Sequence, residues 1–335
     1  MTRPYGLLRA GFPYVKCVGM RRVTNQSMDV AIGKDYTLYV LSRTGAIARL
    51  TLDDDDLRPI AGGGEDDGKF VWPVAMLIDD DENLWISDES LNRISVITTE
   101  GEFVRKWGEA GEGDGQLNGV SGISFDPEGD VYVADTLNHR VQKFTNEGKF
   151  LLKWGGLGDA EGQFNMPWGI KVDELGDVYV ADWRNDRVQK FNAEGKFLFA
   201  FGSSGSEKGQ FNRPAGVEVD ADGDIYIADA GNDRVQQFNV DGLYMEQFLG
   251  DATLSKSMRR YVLSNGRTLR LREMASDLEA QKRFRNPRSI RLDDQARMYV
   301  ADFGSFRIQI YQKDVVPLAE GEIDVPLRAP TLFTT

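Results

Sequence analysis

Residues 177–191 read Asp-Val-Tyr-Val-Ala-Asp-Trp-Arg-Asn-Asp-Arg-Val-Gln-Lys-Phe, and the same template recurs at 130–144 and 224–238. Using the aromatic residue in the middle of each copy as an anchor extends the series to Tyr39, Trp85, Tyr132, Tyr179, Tyr226 and Tyr299. The spacings are 46, 47, 47, 47 and 73 residues. A period in the forties is that of blade repeats, in which a four-stranded sheet cannot bury both faces alone and must stack on neighbours around an axis. Within one period, 169–173 alternate as a strand, 175–177 make a turn, and 178–181 form a β-branched apolar strand. A loop at 183–186 leads to a third strand at 187–191, and a turn at 192–195 leads to a fourth at 196–202. Six anchors with four strands each predict an all-β chain: a six-bladed β-propeller with four-stranded antiparallel blades.

A repeat array of 335 residues is expected to form one unit, because each repeat adds its own buried interface. No run of 18 apolar residues exists, so no helical membrane span is expected. Residues 1–20 lack the continuous apolar core of a signal peptide, which points to a cytoplasmic protein. Cys17 is the only cysteine and reads as a small core residue. The net charge of −13 argues against non-specific binding to nucleic acid. That charge is uneven: residues 250–291 hold 11 Lys or Arg against 4 Asp or Glu.

The unit Gly-Gln-Phe-Asn-x-Pro, apolar strand, Asp-x-x-Gly-Asp-x-Tyr-Val-Ala-Asp, Asn-x-Arg-Val-Gln-x-Phe closely resembles the NHL repeat. Its clearest copies are 115–148, 162–195 and 209–242; 68–101 and 284–311 are good matches and the first repeat is faint. The resemblance implies a six-bladed propeller, the number the anchors give independently. It also permits RNA binding, which some members of the family perform. Asp88, Asp135, Asp182, Asp229 and Asp302 pair along the chain with Arg93, Arg140, Arg187, Arg234 and Arg307, whereas the first repeat has Ser42 and Ile47. A pair repeated in five of the six blades reads as scaffold, holding the inner loop by charge-assisted hydrogen bonds. Residues 14–19 resemble the outer strands ending in Lys106-Trp107-Gly108 and Lys153-Trp154-Gly155. They are expected to pair beside 307–311 and close the ring through an N-terminal strand, leaving 315–335 as a C-terminal extension on the outside.

Positions that differ between blades can hold a site. Eight residues before each anchor stand Ala31, Leu77, Ser124, Lys171, Glu218 and Arg291, a ring facing the channel. Its polar members suit a small anion or carboxylate, and suit mutual salt bridges better. On the loop face, Trp183 and Arg184 replace small residues found in blade five, and Phe303 and Phe306 replace polar ones. With Trp72, Trp168, Arg213 and Arg288 they form an aromatic and arginine surface of the composition that dominates interface hot spots. The 26 extra residues within 251–283 are expected to form a basic, partly helical insertion on that face between blades five and six. The helix is placed at 274–284 with Ser276 as cap.

His139 is the only histidine, so the three-histidine metal site of the amidating lyases that share this propeller cannot be assembled. Propeller lactonases hold calcium with Glu, Asn and Asp; Glu218 matches one ligand, but no Asn or Asp converges at the inner-strand positions considered. The turn 220–224 alternates carboxylates yet lacks the Gly and Glu of an EF-hand loop, and reads as a hairpin turn. No catalytic residue, no resident metal and no cofactor is therefore expected, with calcium the one candidate. The leading expectation is a non-enzymatic scaffold that docks a protein or peptide through its loop face. The alternative is a metal-assisted hydrolase or lyase acting on a small molecule in the channel, and the third is RNA binding through the insertion.

Overall fold

The structure, a computed structural model, describes residues 8–21, 23–274 and 277–317. Six antiparallel sheets of four main strands ring an axis. In blade four, inner strand Pro167–Val172 pairs with Val178–Asp182, that strand with Arg187–Phe191, and that with outer strand Phe197–Phe201. The other five repeat this order, including the first, whose sequence match is faint. Blade six takes its outer strand from the other end of the chain: Tyr14–Val18 pairs with Arg307–Gln312 and places Tyr14 opposite Tyr311. The expected closure of the ring is therefore present. Leu8–Gly11 pairs in turn with Asp314–Pro317; the rest of the C-terminal extension lies outside the described residues.

The middle strand explains the template. Val178 to Asp182 are all buried, because a blade inside a ring has neighbours on both faces. Alternate side chains go to opposite interfaces: Val178 and Val180 pack in the cluster shared with blade three, Tyr179 in the one shared with blade five. Six such clusters, each built from two adjacent blades, form the core. Full burial of a side chain of this size stabilises by about 1.5–3 kcal/mol.

The acidic turns close hairpins, as the sequence suggests. Asp173 accepts the Leu175 and Asp177 amides at 2.9 Å, and its second oxygen accepts the Tyr179 hydroxyl at 3.3 Å. The turns of blades three, four and five also have a counter-charge. Lys143 supplies it to Asp126 and Asp130, and Lys190 to Asp177, from the third strand of the same blade. Blade five has Gln237 at that position, and Lys313 of blade six reaches across instead. Its ammonium group contacts Asp220, Asp222 at 3.3 Å and Asp224 at 2.9 Å.

The insertion differs from expectation. Its helices are α1 (Lys256–Ser264) and α2 (Gly266–Glu273), ahead of the predicted stretch; 277–284 are turn and coil, and Ser276 lies outside the described residues. The caps decide the placement. Ser255 accepts the Met258 amide at 3.1 Å, and Asn265 accepts those of Arg267 and Thr268.

The first helix of the insertion is bonded to the flank where blades six and one meet. Ser255 donates to the Gly19 carbonyl at 2.8 Å, and the Ser257 amide donates to Asp54 at 2.6 Å. Asp54 in turn accepts the Gly19 amide at 2.8 Å. Lys256 pairs with Asp55, and Arg259, Arg260, Arg267 and Arg270 are exposed.

Candidate binding site at the loop face

In blades three to six the loops are held by one repeated constellation. In blade four, one oxygen of Asp182 accepts the Asn165 amide at 2.8 Å. The other accepts Asn185 Nδ2 at 2.8 Å, Arg187 Nε at 2.9 Å and Gln189 Nε2 at 3.2 Å. Arg187 then donates to the carbonyls of Asp159, Ala160 and Gln163 in the incoming loop. Asp135, Asp229 and Asp302 hold the matching arginine in the same way. The repeated Asp and Arg are scaffold, and they fix the loops that carry the variable residues.

A second repeated position ties each loop to the next blade. Asn92, His139, Asp186 and Asp233 all have positive φ, between 50° and 55°, and each accepts a backbone amide from its neighbour. His139 Nδ1 accepts the Met166 amide at 3.0 Å. The only histidine is thus a structural acceptor, and burial pulls its pKa below the ordinary value, against a smaller opposing effect of Asp182. A depressed pKa means the folded state prefers neutral imidazole. Its stabilisation is complete above about 6.5 and is lost as pH falls through the lower folded value. We expect the intact chain to lose up to about 1 kcal/mol more than His139→Asn between pH 7 and pH 5. The amide of that variant accepts the same bond at every pH, as Asn92 does. Parallel pH dependence of urea midpoints for the two proteins would contradict this assignment.

The variable residues converge at the mouth of the channel. Trp183 lies against Trp168, ring centroids 5.7 Å apart, with the Arg184 and Arg213 guanidinium carbons 5.5 and 5.1 Å from its centroid. Arg288 lies 5.2 Å over Phe303. Trp72 is 53% exposed and is covered on one side by Arg43, which also pairs with Glu89 at 2.6 Å. Arg184 and Arg213 are exposed as expected. Trp168 and Phe303 are half-buried and pack on the blade one and two cluster, roofing the channel. Phe306 is separate from this group; it sits under Arg21 at 5.3 Å and lines the cavity beside the insertion. Arg43 and Glu89 are members that the sequence reading missed. Arg43 follows Ser42, where blade one departs from the template, and that departure was the available signal.

Beneath the mouth, the ring eight residues before the anchors is present and each member pairs with its anchor, Lys171 opposite Tyr179 and Arg291 opposite Tyr299. The Ser124 hydroxyl accepts the Val172 amide at 3.0 Å and joins blades three and four. Lys171 pairs with Glu218, Glu218 with Arg291 at 3.5 Å, and Arg291 with Asp29. Asp29 is the second residue missed. It lies one pleat above the ring, at the level of Ala75, Gly122, Gly169, Gly216 and Ser289, where the inner strands approach closely. A Cβ on Gly169 would come within 2.5 Å of the Ala215 carbonyl oxygen. A carboxylate alone among small residues is the signal that marked Asp29. It also accepts the Met76 amide at 2.9 Å, linking blades one and two.

These four side chains form a neutral chain of charges. The cavity between them and the roof measures about 30 Å³, room for water and far below the several hundred Å³ of a ligand pocket. An inner-strand Asp does converge with Glu218, contrary to expectation, but Arg291 stands between the two carboxylates. Among the described residues no group of three His, Cys, Asp or Glu is placed to hold a metal ion, and no helix is long and apolar enough to cross a membrane.

A closed ring of six four-stranded sheets, a narrow ion-paired channel and loops pinned by one repeated constellation define a repeat-built β-propeller. The NHL repeat matches residues 117–144, 164–191 and 211–238, in blades three, four and five of the six-bladed propeller. No curated protein matches it in sequence. Among solved structures it is similar to virginiamycin B lyase from Staphylococcus aureus, at 12% identity and TM-score 0.56, covering 91% of this chain and 99% of that one. A protein of unknown function from Bacteroides thetaiotaomicron gives 16% identity and TM-score 0.63, covering 92% and 76%. A nidogen/laminin complex gives 18% and 0.52, covering 66% and 79%. At these identities the likeness is one of fold.

Proposed function

We propose that this propeller is a non-enzymatic docking platform that holds a protein or peptide partner on its loop face. The observation that carries the reading is the group around Trp183. An indole stacked on Trp168 and flanked by Arg184 and Arg213 is presented on loops that the Asp182 constellation fixes. Such preorganised aromatic and arginine side chains lose little entropy on binding and are the types that dominate interface energies. The channel supports the same reading, because its charges satisfy one another and its cavity accommodates water.

The hydrolase or lyase alternative has less support. A virginiamycin B lyase carrying a histidine-to-alanine change is described as catalytically inactive, whereas the single histidine here spends Nδ1 on the Met166 amide.

The test is capture of a stoichiometric partner by the intact chain at low salt, followed by measurement of its affinity for variants. Trp183→Ala and Arg184→Ala together are expected to weaken it by at least about thirtyfold, as loss of a hot spot would. Unchanged affinity would remove the loop face as the docking site.

A further inference from the structure

Three polar donors at the channel mouth have no partner among the described residues: Arg288 Nε, Arg43 Nη1 and Trp183 Nε1. Buried donors are nearly always paired, and leaving one unpaired costs about 1–3 kcal/mol, more when the group is charged. The three are linked: Arg43 and Arg288 interact electrostatically, and Arg288 lines the same cavity as Trp168, on which Trp183 stacks. Arg288 is the clearest case, since no described hydrogen bond or ion pair engages its guanidinium, which lies over the Phe303 ring. Its proton affinity is pulled down to about 10, first by burial and then by Arg43 and Arg213, with Glu89 opposing. Those four groups therefore share one electrostatic environment. Three arginines against one glutamate leave an excess of two positive charges, on a chain whose net charge is −13.

Water in the cavity below would satisfy donors but not that charge. A carboxylate does both: it brings one negative charge and four lone-pair sites, and its plane matches the fork of a guanidinium. On the docking reading above, we propose that the partner is anchored by an Asp or Glu side chain that enters the channel mouth and is held by Arg288, Arg43 and the Trp183 indole N–H. The occupant is a peptide segment and not a free acid, because Trp72 and Arg184 offer exposed surface beside the mouth for the residues flanking the carboxylate. Charge complementarity would then select the partner. An acidic body repels acidic proteins in general, and only a segment able to insert its carboxylate into the mouth escapes that repulsion.

The experiment selects peptides from a displayed random library on the full chain and measures the winners by calorimetry. The selected peptides are expected to share an Asp or Glu whose replacement by Asn or Gln weakens binding by about tenfold to a hundredfold. Arg288→Met should weaken the parent peptide by a similar factor and remove the difference between Glu and Gln. Loss of an unpaired buried guanidinium should leave the melting temperature unchanged or higher, which separates a binding defect from a folding defect. Peptides that need Trp183 but show no carboxylate dependence would overturn the anchor and leave the docking reading intact. Peptides indifferent to both Trp183 and Arg288, or no selected peptides at all, would overturn both. Succinate binding as tightly as the peptide would overturn the assignment to a peptide segment.

Discussion

Removal of residues 1–19 is expected to abolish cooperative unfolding of the chain, read as loss of a sigmoidal thermal transition in far-ultraviolet circular dichroism and an aggregated profile on gel filtration. Tyr14–Val18 is the outer strand of blade six. Without it, Arg307–Gln312 becomes an unpaired edge with Ile308, Ile310 and Tyr311 in its sequence. Val18 is fully buried in the cluster that joins blades six and one, and Tyr14 packs edge-on to Tyr311. Burial of such a side chain is worth about 1.5–3 kcal/mol and each ladder hydrogen bond about 1. Their sum approaches the 5–15 kcal/mol that holds a whole domain. The deletion also removes anchors of the insertion, because Gly19 bonds to both Ser255 and Asp54, and Cys17 donates to the Thr253 carbonyl at 2.9 Å. A transition within about 5 °C of the intact chain, roughly what 1–2 kcal/mol shifts at this size, would show that the ring closes without this strand.

Arg291→Met is expected to lower the unfolding free energy by about 3–5 kcal/mol, measured by urea denaturation at pH 7. Asp29 and Glu218 have side chains only 2 and 3% exposed, and Arg291 is the cation between them. Lys171 remains for Glu218, but Asp29 would keep only backbone amides, those of Met76 and Val30. The double variant Arg291→Met, Asp29→Asn should recover most of the loss, because the Asn oxygen still accepts the Met76 amide and no buried charge is left over. A single variant as stable as the intact chain would show that the channel charges are solvated well enough to stand alone. The channel would then be open to ligands in a way its ion pairs argue against.

Most of the architecture was legible because a ring makes the same demand six times. The period, the four strands and the aromatic anchor report burial on both faces of a blade. The match of residues 14–19 to other outer strands located the seam. The site was only half legible for the same reason: reading differences at template positions found Trp183, Arg184 and Arg213, whose blades follow the template. It missed Arg43, which sits where blade one abandons the template, and Asp29, one pleat from the level considered. Exposure was the other limit. Trp168 and Phe303 were rightly placed at the loop end, but whether a ring stands free or roofs a cavity depends on the diameter of the ring, which no single repeat encodes. The helices were misplaced because the caps at Ser255 and Asn265, and the apolar spacing of Met258, Tyr261 and Val262 behind the first of them, were passed over for the later stretch.

Lys313 bears on how this molecule could be lengthened or shuffled. Its ammonium group serves the carboxylates of the preceding blade, so blade five is complete only when blade six follows it. An engineered seven-bladed ring made by duplicating blade five would set Val240, the residue equivalent to Lys313, against the acidic turn of the first copy. Three carboxylates would then face a side chain that cannot neutralise them. The blades are copies of one motif but not exchangeable parts, and the order in which they follow one another is written into single residues at their borders.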